Sequence, residues 1–481
     1  MSVDGALSWL ENNDKASIDR WMDWLRIPSV GTDPAHDADT RKAAEWCRDH
    51  LRESGFDVDL VETAIPEKKH RGQPVVFGHS EGDPGYKGPR ILFYGHYDVQ
   101  PADPVELWDS PPFEPVIKPA DGPGDDVPGE RVVARGAQDD KGQVTMFLEA
   151  MRAWKETSGK AAGGVPITVL IEGEEESGSV NLERFVEQHK DELAKCDVVL
   201  ISDTTMLGRG KPAITYGVRG LVYTEFTLHG PDQDLHSGAW GGKCPNPLNE
   251  LAKTLAKLWD DDYRVTIPGF YDDVAPLTDD ERAQWKNLGI DETALLKGIG
   301  LGPEGDVGEK GYTMTEREWA RPTCDINGMW GGYIGEGAKT VIPSHANAKV
   351  SFRLVADQDP SKILASFKKW LSENTPRGCR WSEVKDHGTG LGVTLPIDSD
   401  YLQAARRALK RAADKDVAMI KSGGSIPVAG MLKNGLGLDT IFMGFGLEDD
   451  RIHSPNEKYE LSSFRMGARS HVVFIDELLN F

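Results

Sequence analysis

Long apolar runs are missing from this chain. No segment approaches the roughly 20 apolar residues that span a bilayer, and runs such as 91–94 and 167–171 are short and bounded by turn residues. Cysteine is scarce too. Cys47, Cys196, Cys244, Cys324 and Cys379 are odd in number, widely spaced and without a C-x-x-C pair, which argues against a disulfide framework and a thiolate zinc knuckle. Basic charge is in deficit: 55 Lys and Arg face 78 Asp and Glu, a net charge of −23. Nucleic acid and anionic membranes are therefore not expected partners, and the plain reading of the charge is solubility. Residues 1–10 lack a basic stretch followed by an apolar run, so no secretory signal is expected and cytoplasm is the expected compartment. There is no internal repeat, heptad pattern or low-complexity tract.

What remains is an ordinary globular composition, 39% hydrophobic and 28% charged over 481 residues, long enough for two or three domains. Amphipathic helical patterning covers 4–25 and 39–54. Apolar runs of strand length follow at 56–61, 90–94, 131–133, 167–172 and 198–202, with helical stretches at 143–156 and 181–192. Strands alternating with helices predict an α/β domain with a mostly parallel sheet. In such sheets functional groups gather at the carboxyl ends of the strands, where His96, Glu175 and Asp203 fall. Near Lys211 the pattern changes. A strand pair at 214–228, a helix at 246–259, a strand at 347–355, a helix at 361–374 and a strand at 380–385 predict an α+β insert. The helix–strand alternation resumes after Asp398, at 401–415, 440–443 and 462–479. The expected organisation is one α/β domain, 1–212 and 396–481, interrupted by a smaller one at 213–395. Residues 260–321, rich in Asp, Gly and Pro, are expected to form long loops over the insert. Two further Gly/Pro-rich loops, 66–89 and 115–130, are expected to border a cleft.

The chemistry sits in short motifs. Gly95-His96-Tyr97-Asp98 closes an apolar strand, and Asp98 is placed to accept a hydrogen bond from the imidazole nitrogen not used as a ligand; by itself this is also an ordinary His–Asp pair. Arg135-Gly136-Ala137-Gln138-Asp139-Asp140-Lys141-Gly142 is a polar turn before a helix. Adjacent carboxylates repel unless a cation lies between them, and one carboxylate can bridge two ions, the role expected of Asp139. An acidic helix N-terminus accounts for the same residues. Four glutamates crowd into 172–176 after the apolar strand, so one is a candidate ligand and its neighbour a candidate base; a solvated acidic loop is the alternative. Ser202-Asp203 repeats the pattern of a carboxylate at a strand exit, and His453 in His-Ser-Pro-Asn-Glu-Lys adds a second imidazole. Together these residues form the donor set of a paired divalent-metal site and point to a metal-dependent hydrolase.

With these motifs in hand, the sequence resembles the dinuclear zinc metallopeptidase family of carnosine-type dipeptidases, bacterial glutamate carboxypeptidases, aminoacylases and succinyl-diaminopimelate desuccinylases. The resemblance covers nearly the whole chain and keeps the order of motifs. Asp-Asp-Lys-Gly, Glu-Glu-Ser-Gly-Ser, Asp-Leu-His-Ser-Gly (234–238), Gly-Ala-Lys-Thr-Val-Ile-Pro (337–343) and Gly-Gly-Ser-Ile-Pro (423–427) look like its cytosolic non-specific dipeptidase and carnosinase branch.

The resemblance implies a zinc-peptidase-like catalytic α/β domain with a mostly parallel central sheet, interrupted by an α+β lid and dimerisation domain. It implies two divalent ions per subunit, with zinc first and manganese or cobalt as alternatives. His96 and Asp203 would bind one ion, Glu176 and His453 the other, with Asp139 bridging and Asp98 supporting His96. The bond between Asp139 and Asp140 is expected to be cis. Glu175 is the expected general base. His236 and Thr340 would act across a homodimer interface. Arg353 is the expected partner of a substrate carboxylate, with His387 and Ser425 as further substrate contacts.

The expected substrate is a dipeptide or short peptide with a free carboxyl terminus. The runner-up is an N-acyl amino acid: Lys421-Ser422 stands where related dipeptidases often carry a glutamate that meets a free amino group. A non-catalytic protein of this fold would have lost the base or a ligand, and a structural zinc protein would carry spaced cysteines; neither description fits.

Overall fold

The structure is a computed structural model that describes residues 2–65, 72–119 and 129–481. Parts of the two expected cleft-bordering loops, 66–71 and 120–128, lie outside the described residues. The chain forms two compact units: Met1–Tyr216 with Leu395–Ile420 and Leu432–Phe481, and Gly217–Thr394 with Lys421–Met431.

Four strands at the centre of the first unit are parallel: Ile167–Glu172, Ile91–His96, Val198–Ile201 and Asp439–Phe442, side by side in that order. They are apolar along their length because both sheet faces are covered, as expected for a parallel centre; every residue of the first two is buried. Antiparallel strands flank them, Val75–Ser80 and then Asp57–Val61 on one side and Ala213–Val218 on the other. This is the α/β class with a mostly parallel centre. Helices Lys141–Ser158 and Leu461–Leu479 supply much of the cover. Phe147 on the first stacks on Phe93 of the sheet with ring centroids 3.6 Å apart, and Trp154 Nε1 donates to the Val472 carbonyl of the second. Gly159 ends helix Lys141–Ser158 in the left-handed conformation, φ 74, the usual glycine stop. Because the strands run in parallel, His96 pairs with Glu172 at their carboxyl ends, and Asp203 follows Val198–Ile201 on the same edge.

The first unit departs from the sequence reading in several places: strand Ala213–Val218, expected in the insert, joins this sheet, and strand Val116–Pro119 lies inside the expected loop 115–130. The expected helix over 4–25 is broken into Val3–Asn12 and Asp14–Leu25, because Asn13 turns its side-chain amide back onto the Trp9 carbonyl at 2.8 Å and closes the first helix. Strand Val75–Ser80 lies inside the expected loop 66–89. Gly78 interrupts its apolar run, and nothing larger fits there: a Cβ would fall 2.1 Å from the Asp57 carbonyl oxygen.

The second unit is built on an antiparallel sheet ordered Thr323–Gly331, His345–Leu354, Gly220–His229, with Arg380–Trp381 and Lys385–Gly390 on the outer edge of Gly220–His229. Gly220–His229 alternates buried and half-buried residues along its whole length, the signature of a sheet covered on one face. Helices Pro247–Leu255 and Pro360–Glu373 contribute Leu251, Leu255, Ile363 and Phe367 to its core. The stretch expected to form long loops, 260–321, is mostly loop and turn but carries three short helices. Asp279–Asn287, Glu292–Gly298 and Met314–Ala320 are helical, and Val265, Ile267 and Phe270 enter the unit's core. Residues 421–431, expected with the carboxyl-terminal part of the first domain, cluster with the second unit. Hydrogen bonds explain this: Arg353 Nη1 donates to Ser425 Oγ at 2.7 Å and Arg219 N to the Gly424 carbonyl at 3.0 Å. Among the described residues no helix is long and apolar enough to cross a membrane.

Candidate metal centre

Five separate stretches of the first unit meet at the carboxyl edge of its sheet, one of them contributing Asp203 just after strand Val198–Ile201. His96 ends a central strand, Asp139 lies in the turn before helix Lys141–Ser158, Glu176 in the 3-10 turn Glu175–Ser177, and His453 in the turn before Lys458–Glu460. They form two overlapping donor sets, His96–Asp139–Asp203 and Asp139–Glu176–His453, with the donor atoms of each set within 4.8 Å of one another. Asp139 is common to both. Its Oδ1 lies 3.1 Å from His96 Nε2 and its Oδ2 lies 3.0 Å from His453 Nε2. Asp203 Oδ2 is 3.8 Å from His96 Nε2, and Glu176 Oε2 is 3.4 Å from His453 Nε2. The peptide bond between Asp139 and Asp140 is cis.

The surrounding contacts fix these groups. His96 Nδ1 meets Asp98 twice, at the carbonyl oxygen (3.1 Å) and at carboxylate Oδ1 (3.4 Å), which leaves Nε2 to face the donor set. The Asp98 carboxylate also accepts the backbone N–H groups of Glu175 and Glu176 at 3.3 and 3.1 Å, so one side chain sets both the imidazole and the glutamate turn. Two groups were not assigned from the sequence. Gln100 Nε2 donates to Glu176 Oε2 at 2.8 Å. Glu457, quoted in the His453 motif but given no role, accepts from Arg135 Nη1 and from the backbone N–H groups of Gly136, Gln138 and Asp139 at 2.7–3.1 Å. It thereby ties the turn carrying His453 to the turn carrying Asp139. Arg451, His453 and Asn456 take left-handed φ angles of 57, 59 and 63, costly for non-glycine residues. Asn456 helps hold that turn by accepting from Asp109 N and donating to the Leu107 carbonyl.

Electrostatics argue for cations at this edge. Burial pushes the carboxyl groups of Glu175, Glu176 and Asp203 upward, and the neighbouring carboxylates add to the push. Burial also opposes charge on Asp139, yet hydrogen bonds from His453 and His96 hold it below the usual carboxylate range. Hydrogen bonds to Asp139 and then Glu176 push the His453 imidazole up to about 10. Glu176 Oε1 is buried with no hydrogen-bond partner. An orphaned carboxylate oxygen among crowded like charges and two imidazoles fits a pair of divalent ions.

The remaining expected site residues lie in the second unit. His236 and Thr340 come together on an exposed two-stranded piece: His236 pairs with Val341, and Ser237 N donates to the Thr340 carbonyl at 3.0 Å. The His236 Nδ1 accepts from Gly238 N. Arg353 and Ser425 are joined by the hydrogen bond described above. His387 is not with them. Its Nε2 is 3.1 Å from Glu225, which pairs with Lys349, whereas Arg353 pairs with Leu221 four residues along the same strand.

A parallel-centred sheet that presents two linked imidazole–carboxylate sets at one edge defines a dinuclear metal-dependent enzyme. The chain belongs to peptidase family M20/M25/M40, whose sequence model matches residues 92–477. It is 32% identical over 463 residues to the Cys-Gly metallodipeptidase DUG1 of Saccharomyces cerevisiae, covering 94% of this chain and 93% of that one. It is also 32% identical over 491 residues to the Beta-Ala-His dipeptidase of Homo sapiens, covering 99% and 92%. The crystal structure of human carnosine dipeptidase 1 superposes with a TM-score of 0.82 at 27% identity, over 100% of this chain and 99% of that one.

Proposed function

We propose that this protein is a metal-dependent dipeptidase acting on dipeptides or short peptides with a free C-terminal carboxylate. The observation that carries the reading is Asp139, whose two oxygens face different imidazoles. His96, Asp203 and Asp139 would hold one ion and Asp139, Glu176 and His453 the other, each with three protein ligands and room for substrate. Two divalent ions, zinc first with manganese or cobalt as alternatives, would raise the acidity of a water and polarise the scissile carbonyl.

The protein's own groups do the rest. Glu175 takes a proton from the attacking water at its carboxylate and returns it to the leaving amine; burial raises its proton affinity toward the range such a shuttle needs. Asp98 positions both His96 and the Glu175 backbone. Arg353 with Ser425 pairs with the substrate carboxylate, a bidentate task suited to a planar guanidinium. His236 is assigned to the oxyanion across a homodimer interface, Thr340 to substrate binding across the same interface, His387 to a more distant substrate contact, and the compartment is assigned as cytoplasm.

The names of the relatives favour dipeptides over N-acyl amino acids. Lys421 does not weigh against a free amino group as its position in sequence suggests, because its Nζ lies 3.8 Å from Glu281 and over the Trp285 ring at 5.5 Å. Purified protein loaded with zinc, manganese or cobalt is expected to cleave members of a dipeptide panel that includes Cys-Gly and β-Ala-His. Glu175→Gln is expected to lower kcat by about a hundredfold or more with metal content unchanged. Equal activity in that variant would remove the base, and metal-independent activity would remove the centre.

A further inference from the structure

Residues 423–425, Gly-Gly-Ser, form a loop with little side chain of its own, yet it must present Ser425 Oγ to Arg353 Nη1 at 2.7 Å. Two residues outside the loop hold it. Arg219 Nε donates to the Gly423 carbonyl at 3.0 Å, and Arg219 N donates to the Gly424 carbonyl at 3.0 Å. Glu318 Oε1 accepts from Gly423 N at 3.2 Å. The fit is close. A Cβ on Gly423 would fall 2.7 Å from Arg219 Nη2 and 2.8 Å from Glu318 Cγ, so a side chain there would push these two residues off the backbone positions they hold. Glu318 sits on helix Met314–Ala320, inside the stretch expected from sequence to be loops, and Arg219 immediately precedes strand Gly220–His229.

We propose that Arg219 and Glu318 are positioning residues that clamp residues 423–425 so that Ser425 and Arg353 present one prearranged carboxylate-binding pair. This rests on the assignment of Arg353 and Ser425 to the substrate carboxylate, and it gives residues 260–321 a part in substrate binding. The physical reason is preorganisation. A glycine-rich loop left to itself samples many conformations, and ordering it at each binding event would weaken affinity without touching the chemical step. The effect therefore belongs in KM, with kcat nearly unchanged.

Glutamine keeps the carbonyl oxygen that accepts from Gly423 N, and alanine does not. Glu318→Ala is expected to raise KM for a dipeptide by about tenfold with kcat within about twofold, and Glu318→Gln to stay near the wild type. Because Glu318 acts through Ser425, Glu318→Ala in a Ser425→Ala background is expected to add less than about twofold. Full additivity, a fall in kcat at constant KM, or a Gln variant as impaired as the Ala variant overturns the proposal. Hydrogen exchange supplies a readout independent of the substrate reading. Amides of 421–426 exchange faster in Glu318→Ala while strands Gly220–His229 and His345–Leu354 keep their protection; unchanged exchange at 421–426 overturns the clamp even if no dipeptide is cleaved by the wild type.

Discussion

At the residue scale, the imidazoles and carboxylates that the structure gathers into the candidate centre are the most legible part of the molecule, because each sits where a strand or turn must expose it. Gln100 and Glu457 were not assigned, since their roles depend on partners distant in sequence: Glu457 accepts from Asp139, 318 residues earlier. Glu457→Ala leaves Arg135 buried without its carboxylate, a change expected to cost about 3–5 kcal/mol in urea unfolding. His471 shows a different buried group. It is packed among Phe93, Phe147 and Phe445, 3.1 Å from Ser202 Oγ, and burial pushes its imidazole down to about 3. A depressed folded value means stability present above the unfolded value of about 6.5 and lost as pH falls toward 3. Between pH 7.5 and 5.5 this residue alone is expected to remove about 1.4 kcal/mol of unfolding free energy. His471→Gln should lose correspondingly less over the same interval; an identical pH dependence in both proteins would refute a buried neutral imidazole.

Individual elements show where composition misleads. Residues 260–321 read as loops because Asp, Gly and Pro are frequent, but two helix starts were spelled out within them. Thr278 with Glu281 and Thr313 with Glu316 form capping boxes in which each side chain bonds the other's backbone. The T-x-x-E spacing is the sequence sign of that motif, and it outweighs the average composition of the segment. Thr313→Ala is expected to cost about 1 kcal/mol by equilibrium denaturation, with faster amide exchange confined to the helix that carries Glu318. The converse error occurred at strand Val75–Ser80, where Gly78 and His79 hide an otherwise apolar run.

Across the whole molecule, ions held by the candidate centre would couple stability to metal. Its donors span residues 96 to 453 of the first unit, so an ion bound there holds distant parts of the chain together and is absent from the unfolded state. Chelation is expected to lower Tm and abolish cleavage, and zinc, manganese or cobalt to restore both. Free metal at about 100 times Kd stabilises by about 2.7 kcal/mol. A Tm indifferent to chelator would mean that no cation is held by these residues. The net charge of −23 adds self-repulsion that a pair of cations bound at the acidic edge would partly offset.

The sequence by itself determined the class of fold and the donor chemistry. Apolar strands alternating with helices admit few architectures, and imidazoles and carboxylates at strand exits have few uses. Tertiary structure decided the pairings: which oxygen of Asp139 faces which histidine, that Glu457 ties two turns together, and that residues 421–431 pack with the second unit. Those outcomes depend on which distant backbones come within hydrogen-bond reach, a quantity that local pattern along a chain does not contain.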